Sequence, residues 1–188
     1  MSFGFSKEHH TKPVTGAIER VLYEQKRNVV FFASANNEGA NEAETCPASH
    51  RDVIAIRATG DKGEFLTLNA PKQARDGFVL GTLGLDVLGA DRNPERPDRL
   101  MSGTSVATAI AAGIGGMLLT YVNRNIGGKK QAEVKKLLLT EKGMSSMLKS
   151  LSTETKTAHH YFAPWNFEGK DKDACWSLFT RLVDCDIE

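Results

Sequence analysis

The longest apolar run in the chain is residues 106–119, VATAIAAGIGGMLL, entered from the small polar turn Ser102-Gly103-Thr104-Ser105. A helix apolar on nearly all sides has to be surrounded by protein or by lipid, so this run predicts a buried helix. Gly103 permits a sharp backbone approach, and Thr104 or Ser105 can accept from the first free amides, so the helix starts about there. Upstream, Ile18, Val21, Leu22 and the neutral Gln25 recur at helical spacing with Glu19, Arg20 and Glu24 outward. They predict an amphipathic helix from residue 13 or 15 to 26, after a polar loop at 6–11. Residues 29–33 and the VIAI core of 52–58 read as fully buried strands, the kind a parallel sheet requires. Shorter strand candidates fall at 64–70, 78–82 and 85–88, and residues 91–99 form a Pro-punctuated charged loop. After Gly127-Gly128, residues 131–139 restart as an amphipathic helix with Val134, Leu137 and Leu138 inward. Met144, Met147, Leu148 and Leu151 continue at that period as core positions. The aromatic tail, from Tyr161 to Phe179, reads as a wrap over the core ending in a short helix near 174–183.

Composition narrows the classes. At 188 residues, 40% hydrophobic and 25% charged, the chain is long enough for one domain with a real core. Its net charge is +1, with basic and acidic residues interspersed, so nothing marks a nucleic-acid or anionic-membrane footprint. Cys46, Cys175 and Cys185 are an odd count without metal-like spacing; a single Cys175–Cys185 bridge stays open. Neither a metal nor a cofactor is expected. Met1 leads directly into polar sequence without an apolar leader, so the chain as written is expected inside the cell.

Candidate chemistry sits at the mouth of the apolar run. A hydroxyl there lies beside unpaired N–H groups and a positive dipole end, where an oxyanion on a neighbouring carbonyl would be stabilised. Ser and Thr are also the commonest helix caps, so the pattern alone describes a cap better than a nucleophile. A membrane span is disfavoured, because the run is rich in Ala and Gly and falls near the lower limit of about 17 residues. The second element is the Asn/Gly-rich turn 34–39 at the end of a buried strand, where ligands collect in parallel sheets. The same turn also suits left-handed backbone angles without any function. The pairs His9-His10 and His159-His160, and His50, read as solvated side chains, and Cys46 as a small buried packing residue.

Three motifs then converge on one family. Ser102-Gly103-Thr104-Ser105-Val106-Ala107-Thr108 resembles the nucleophile signature of the subtilisin-like serine proteases, the subtilases. Asn37-Glu38-Gly39 resembles their oxyanion-hole turn, and Met1-Ser2-Phe3-Gly4 the strand edge that pairs with substrate backbone. The order and spacing match from Met1 to about residue 139. The resemblance implies an α/β fold: a three-layer sandwich around a parallel sheet, incomplete on its N-terminal side. It implies a partial peptidase domain at 1–150 and a C-terminal extension packed on it at 151–188. It also implies Ser105 as nucleophile, Asn37 as oxyanion donor, and Ser2, Phe3, Gly4, Ser34, Ala35 and Pro47 as substrate-binding positions. Asn36 stands where the family often has Gly, and Ala109 where its helix usually has Pro, which would preset the first turn at little cost.

The family needs Asp, His and Ser in that order, with His as base and Asp orienting it. Here the first two have no counterpart: in the family they precede the segment resembling Ser2-Phe3-Gly4, and none of the five histidines stands in a His-Gly-Thr setting. Without a base, activity would fall to the ~10³ to 10⁴ that oxyanion hole and binding alone supply. Three readings follow: the carboxyl half of a serine endopeptidase acting on peptide or protein substrates, a catalytically dead peptide-binding module, or a structural subunit completed by another chain. An open apolar sheet edge is an aggregation liability, so the last two require a partner.

Overall fold

The structure is a computed structural model that describes residues 1–6, 8–73, 76–90, 98–125, 127–167, 174 and 177–181. Its centre is a five-stranded sheet in the order β1-β2-β3-β7-β6. β1 (Phe31–Ser34), β2 (Val53–Thr59), β3 (Val79–Leu83) and β7 (His159–Tyr161) run parallel, and β6 (Thr153–Lys156) closes the far edge antiparallel to β7. The alternation along β2 decides the layers. Ile54, Ile56 and Ala58 join Phe32 and Leu80 in the main core, whereas Val53 belongs to a second cluster with Ile18, Ala33 and Ala48. Successive side chains of a strand point to opposite faces, so both faces of the sheet are covered.

The main core is closed by α2 (Thr104–Asn125), α3 (Gly128–Leu138) and α4 (Glu141–Ser150), which contribute Ile114, Leu118, Val134, Leu138, Met144, Met147 and Leu148 to it. The methionines expected as core are fully buried. α1 (Glu8–Glu19), continued by a π-helical turn at Arg20–Glu24, covers the opposite face through Ile18, Val14 and Leu22. The α/β sandwich expected from the sequence is therefore present.

Several local expectations are corrected. Residues 8–11 are helix, not loop, and Pro13 lies inside α1; the Thr15 hydroxyl donates to the carbonyls of Thr11 and Lys12, each at 3.1 Å. Residues 64–70 form no strand; Phe65 makes one isolated bridge with Thr59. The end of the charged stretch instead forms β5 (Asp98–Met101), a hairpin partner of β4 (Val87–Ala90), while residues 91–97 lie outside the described part. His160 is buried on β7, edge-on to Phe78, with Nδ1 3.0 Å from the Ser152 hydroxyl. Burial lowers its pKa. The His50 ring is tucked in as well, accepting from the Asp52 amide. Cys46 is buried and free, and burial pushes its thiol pKa up. Cys175, Cys185 and Trp176 lie outside the described residues.

α2 departs from expectation in the way that matters most. It is long and apolar enough to cross a membrane by length and composition, a test that core helices of soluble folds also pass. One face, Thr104, Ala107, Ala111, Ile114, Gly115, Leu118 and Val122, is buried against the sheet and helices. The opposite face, Ala109, Ala112, Gly113, Gly116 and Met117, is exposed. The run has no polar face in sequence, so periodicity could not show which side would be left open.

Candidate active site

The turn that delivers the chain into α2 is fixed from three directions. Gly103 donates its N–H to the Gly84 carbonyl at 2.7 Å, at φ +134°, a conformation that favours glycine. Gly84 is equally constrained, because a Cβ there would sit 2.7 Å from the Ala58 Cβ and 2.9 Å from the Gly103 oxygen. The Ser102 hydroxyl accepts from the Asp86 amide at 2.9 Å and donates to its carboxylate at 3.2 Å. On the third side, Asn37 Oδ1 accepts from both the Thr104 N–H at 2.8 Å and the Thr104 hydroxyl at 3.0 Å.

That last contact replaces the expected cap. Neither Thr104 nor Ser105 caps the helix from within; a side chain from 67 positions upstream does so. Its consequence is chemical. With Oδ1 committed to two donors, the amide plane of Asn37 is set, and its Nδ2 has no acceptor among the described residues. Asn37 is itself held by the turn: its N–H donates to Asn36 Oδ1 at 2.6 Å, and Asn36 takes φ +108°. Gly39, at φ +64°, closes the turn against the backbone at Thr67 and Leu68.

Ser105 is the second residue of α2 and is partly exposed. Its N–H has no carbonyl four positions back within the helix, and α2 has no acidic residue in its first turn, so its positive end is not offset locally. The Ser105 hydroxyl donates to the Ser2 carbonyl at 3.2 Å, and the Ser2 hydroxyl donates back to the Ser105 carbonyl at 3.2 Å. Among the described residues, no histidine is hydrogen-bonded to Ser105. Met1 lies along the outer edge of β1, accepting from the Ser34 amide at 3.1 Å, and Phe5 bridges to Cys46. Residues 2–4 therefore cross in front of the α2 N-terminus, exposed.

A cavity of about 360 Å³ opens between these parts, bordered by Ser2, Phe3, Gly4, Ser34, Asn37 and Ser105. Ala35 and Pro47 do not border it: both are buried. Sequence reading passed over Thr45, Glu38 and Glu42 on this wall, and over the capping role of Thr104. Glu42 was marked only by closeness to the Asn turn. A larger cavity, about 530 Å³, lies on the other side of β2 near Arg57, Asp76 and Lys142. Its buried Arg57 is satisfied by Glu44 at 2.7 Å and by the Ala70 and Pro71 carbonyls. Among the described residues there is no cluster of three metal-ligating side chains.

Comparison with known proteins agrees with this geometry. The Subtilase family model matches residues 1–163, beyond the 139 expected from the motifs. The subtilisin-like protease het-Q2 of Podospora anserina is 27% identical over 151 residues, covering 76% of this chain and 40% of that protein. The prenylagaramide maturation protease PagA superposes with a TM-score of 0.61 at 22% identity, over 97% of this chain and 58% of PagA. The PatG macrocyclase domain gives 0.62 at 18% identity, over 95% and 51%. These two structures share the fold. The chain thus spans about half the length of the relatives it matches. With the fold, the serine turn and the family match in agreement, the chain belongs to the subtilase family.

Proposed function

We propose that this chain carries the nucleophile and oxyanion half of a serine endopeptidase site, and that the base is supplied by polypeptide beyond these 188 residues. Ser105 Oγ attacks the peptide carbonyl, its proton passing to a histidine held by an aspartate. The developing oxyanion is held by the Ser105 N–H and Asn37 Nδ2. The substrate strand lies along Ser2, Phe3 and Gly4, with its side chain in the cavity beside Ser34. The observation that carries this reading is the double acceptance by Asn37 Oδ1 from Thr104, which leaves Nδ2 as a preoriented donor beside the serine. Preoriented donors of this kind stabilise the transition state without reorganising.

The partner is argued from two open surfaces. Among the described residues, β1 is an edge strand paired outward only by Met1, and the Ala/Gly face of α2 is exposed. Small residues there permit close approach of another backbone. We take residues 1–150 as the partial peptidase domain and 151–188 as its extension, whose β6 and β7 continue the sheet. A catalytically dead peptide-binding module is the second reading, favoured by the engagement of the Ser105 hydroxyl with Ser2 in place of a base.

Peptide hydrolysis separates the two. The chain alone should show no turnover above a Ser105→Ala control. Co-folded with the Asp- and His-bearing front half of a related subtilase, it should hydrolyse peptide in a Ser105-dependent way. A well-folded complex without turnover would favour the binding module.

A further inference from the structure

The cavity beside Ser105 also carries a charge pattern. Glu38 and Glu42 both border it, and among the described residues its wall contains no lysine, arginine or histidine. Glu42 accepts from the Asn36 amide at 3.3 Å, and Glu38 makes no hydrogen bond or ion pair among the described residues. Neither carboxylate therefore has a cationic partner there. The third nearby carboxylate, Glu44, is different: it is buried and engaged by Arg57 at 2.7 Å. The same wall offers an apolar surface in Phe3, which is 47% exposed. Thr45 presses so closely on residue 4 that only glycine fits, since a Cβ there would lie 2.0 Å from the Thr45 hydroxyl.

Resting on the proposed substrate site, we infer that the cavity selects a cationic side chain, lysine or arginine, on the acyl side of the scissile bond. Such a side chain has an apolar stem and a charged head, and the wall supplies a partner for each. The site itself rests on Ser105, Asn37 and the Ser2–Gly4 segment; the two glutamates decide only what enters it. An acidic side chain would meet two unpaired like charges, and an aliphatic one would leave both carboxylates without a counter-charge. Because Glu38 and Glu42 are exposed, the preference is moderate and screened by salt.

The test is binding, which does not require a base. Fluorescent peptides of one sequence ending in Arg, Leu or Glu with a free carboxylate are titrated against the whole chain by anisotropy. The Arg-ended peptide should bind about tenfold tighter than the Leu-ended one, as expected for exposed charges at close range. The Glu-ended peptide should bind weakest. In the Glu38→Gln/Glu42→Gln double variant, and in 0.5 M salt, the Arg preference should collapse. Equal or tighter binding of the Leu-ended peptide, or a preference surviving in the double variant, would overturn the inference and leave the substrate site standing. Failure of all three peptides to bind would overturn the site and the inference together.

Discussion

The two sides of α2 differ more than its sequence suggests. Toward the sheet, the helix start is locked to Gly84, Asp86 and Asn37, and the helix body is packed through Ala111, Ile114, Gly115 and Leu118. Away from the sheet, a continuous stripe of Ala109, Ala112, Gly113, Gly116 and Met117 faces outward. On the proposed reading, the built side holds the parts of the site that stabilise charge. The open side is where the proposed partner would pack. On the proposed reading, reactivity and stability have separate sources in this fold: the serine's setting lies within the chain, and its activation comes from outside it.

Adjacent residues on the two sides give the largest contrast. Leu118→Ala should cost about 2–5 kcal/mol, because Leu118 is buried at 2% exposure in the main core. Met117→Ala, 43% exposed, should change stability by less than about 0.5 kcal/mol. Denaturant melts of both variants check this, and equal costs would mean that the outer face is covered in solution.

The glycine pair sharpens the same point. A Cβ at Gly115 would meet the Phe32 ring at 3.0 Å, so Gly115→Ala should destabilise by about 1–3 kcal/mol. Gly116 faces open space, so Gly116→Ala should stabilise the isolated chain by up to about 1 kcal/mol through helix propensity. In a complex with a covering partner, the sign at Gly116 should reverse.

Asn37 separates structure from chemistry. Asn37→Ala removes the acceptor for two Thr104 donors and should cost about 1–2 kcal/mol. Asn37→Asp keeps the acceptor and should melt near the wild type. In a complemented enzyme both variants should lose turnover; the loss known for subtilisin when this donor is removed is about 10² to 10³.

A smaller effect, remote from both sides, is the pH dependence at His160. Burial depresses its folded-state pKa below the ordinary histidine value of about 6.5, so the unfolded chain takes up the proton first as pH falls. The stability gained from a neutral His160 is present above pH 6.5 and is lost as pH falls from there through the folded-state pKa. The melting temperature of the wild type should therefore drop more between pH 7.5 and pH 5 than that of His160→Gln.

The sequence made the start of α2 legible because Gly103 and the adjacent hydroxyl residues combine a turn with free helix amides. Buried parallel strands were legible from β-branched runs such as VIAI. What could not be read came from tertiary contacts. His160 is buried because Phe78 and Ser152 meet it from distant positions, and β5 pairs with β4 through exposed, charged sequence that resembles a loop. The strand expected at 64–70 failed because its pairing stops at the single Phe65–Thr59 bridge, and the Asn69 side chain takes the Ala58 N–H and carbonyl instead. In the candidate site, Ser105 and Asn37 came from motifs, but the hydrogen bonds linking Asn37 to Thr104 span 67 positions and have no local signature. Glu38 and Glu42 look like ordinary surface charge until the cavity places them together.

The central claim is that Ser105 is correctly placed but not activated within this chain. A fluorophosphonate probe reacts with a serine only when a base draws off its proton. The isolated chain should label no faster than its Ser105→Ala variant, and labelling at Ser105 should appear when a front half bearing Asp and His is added. Rapid labelling of Ser105 in the isolated chain would contradict the account, because the base would then lie within these 188 residues.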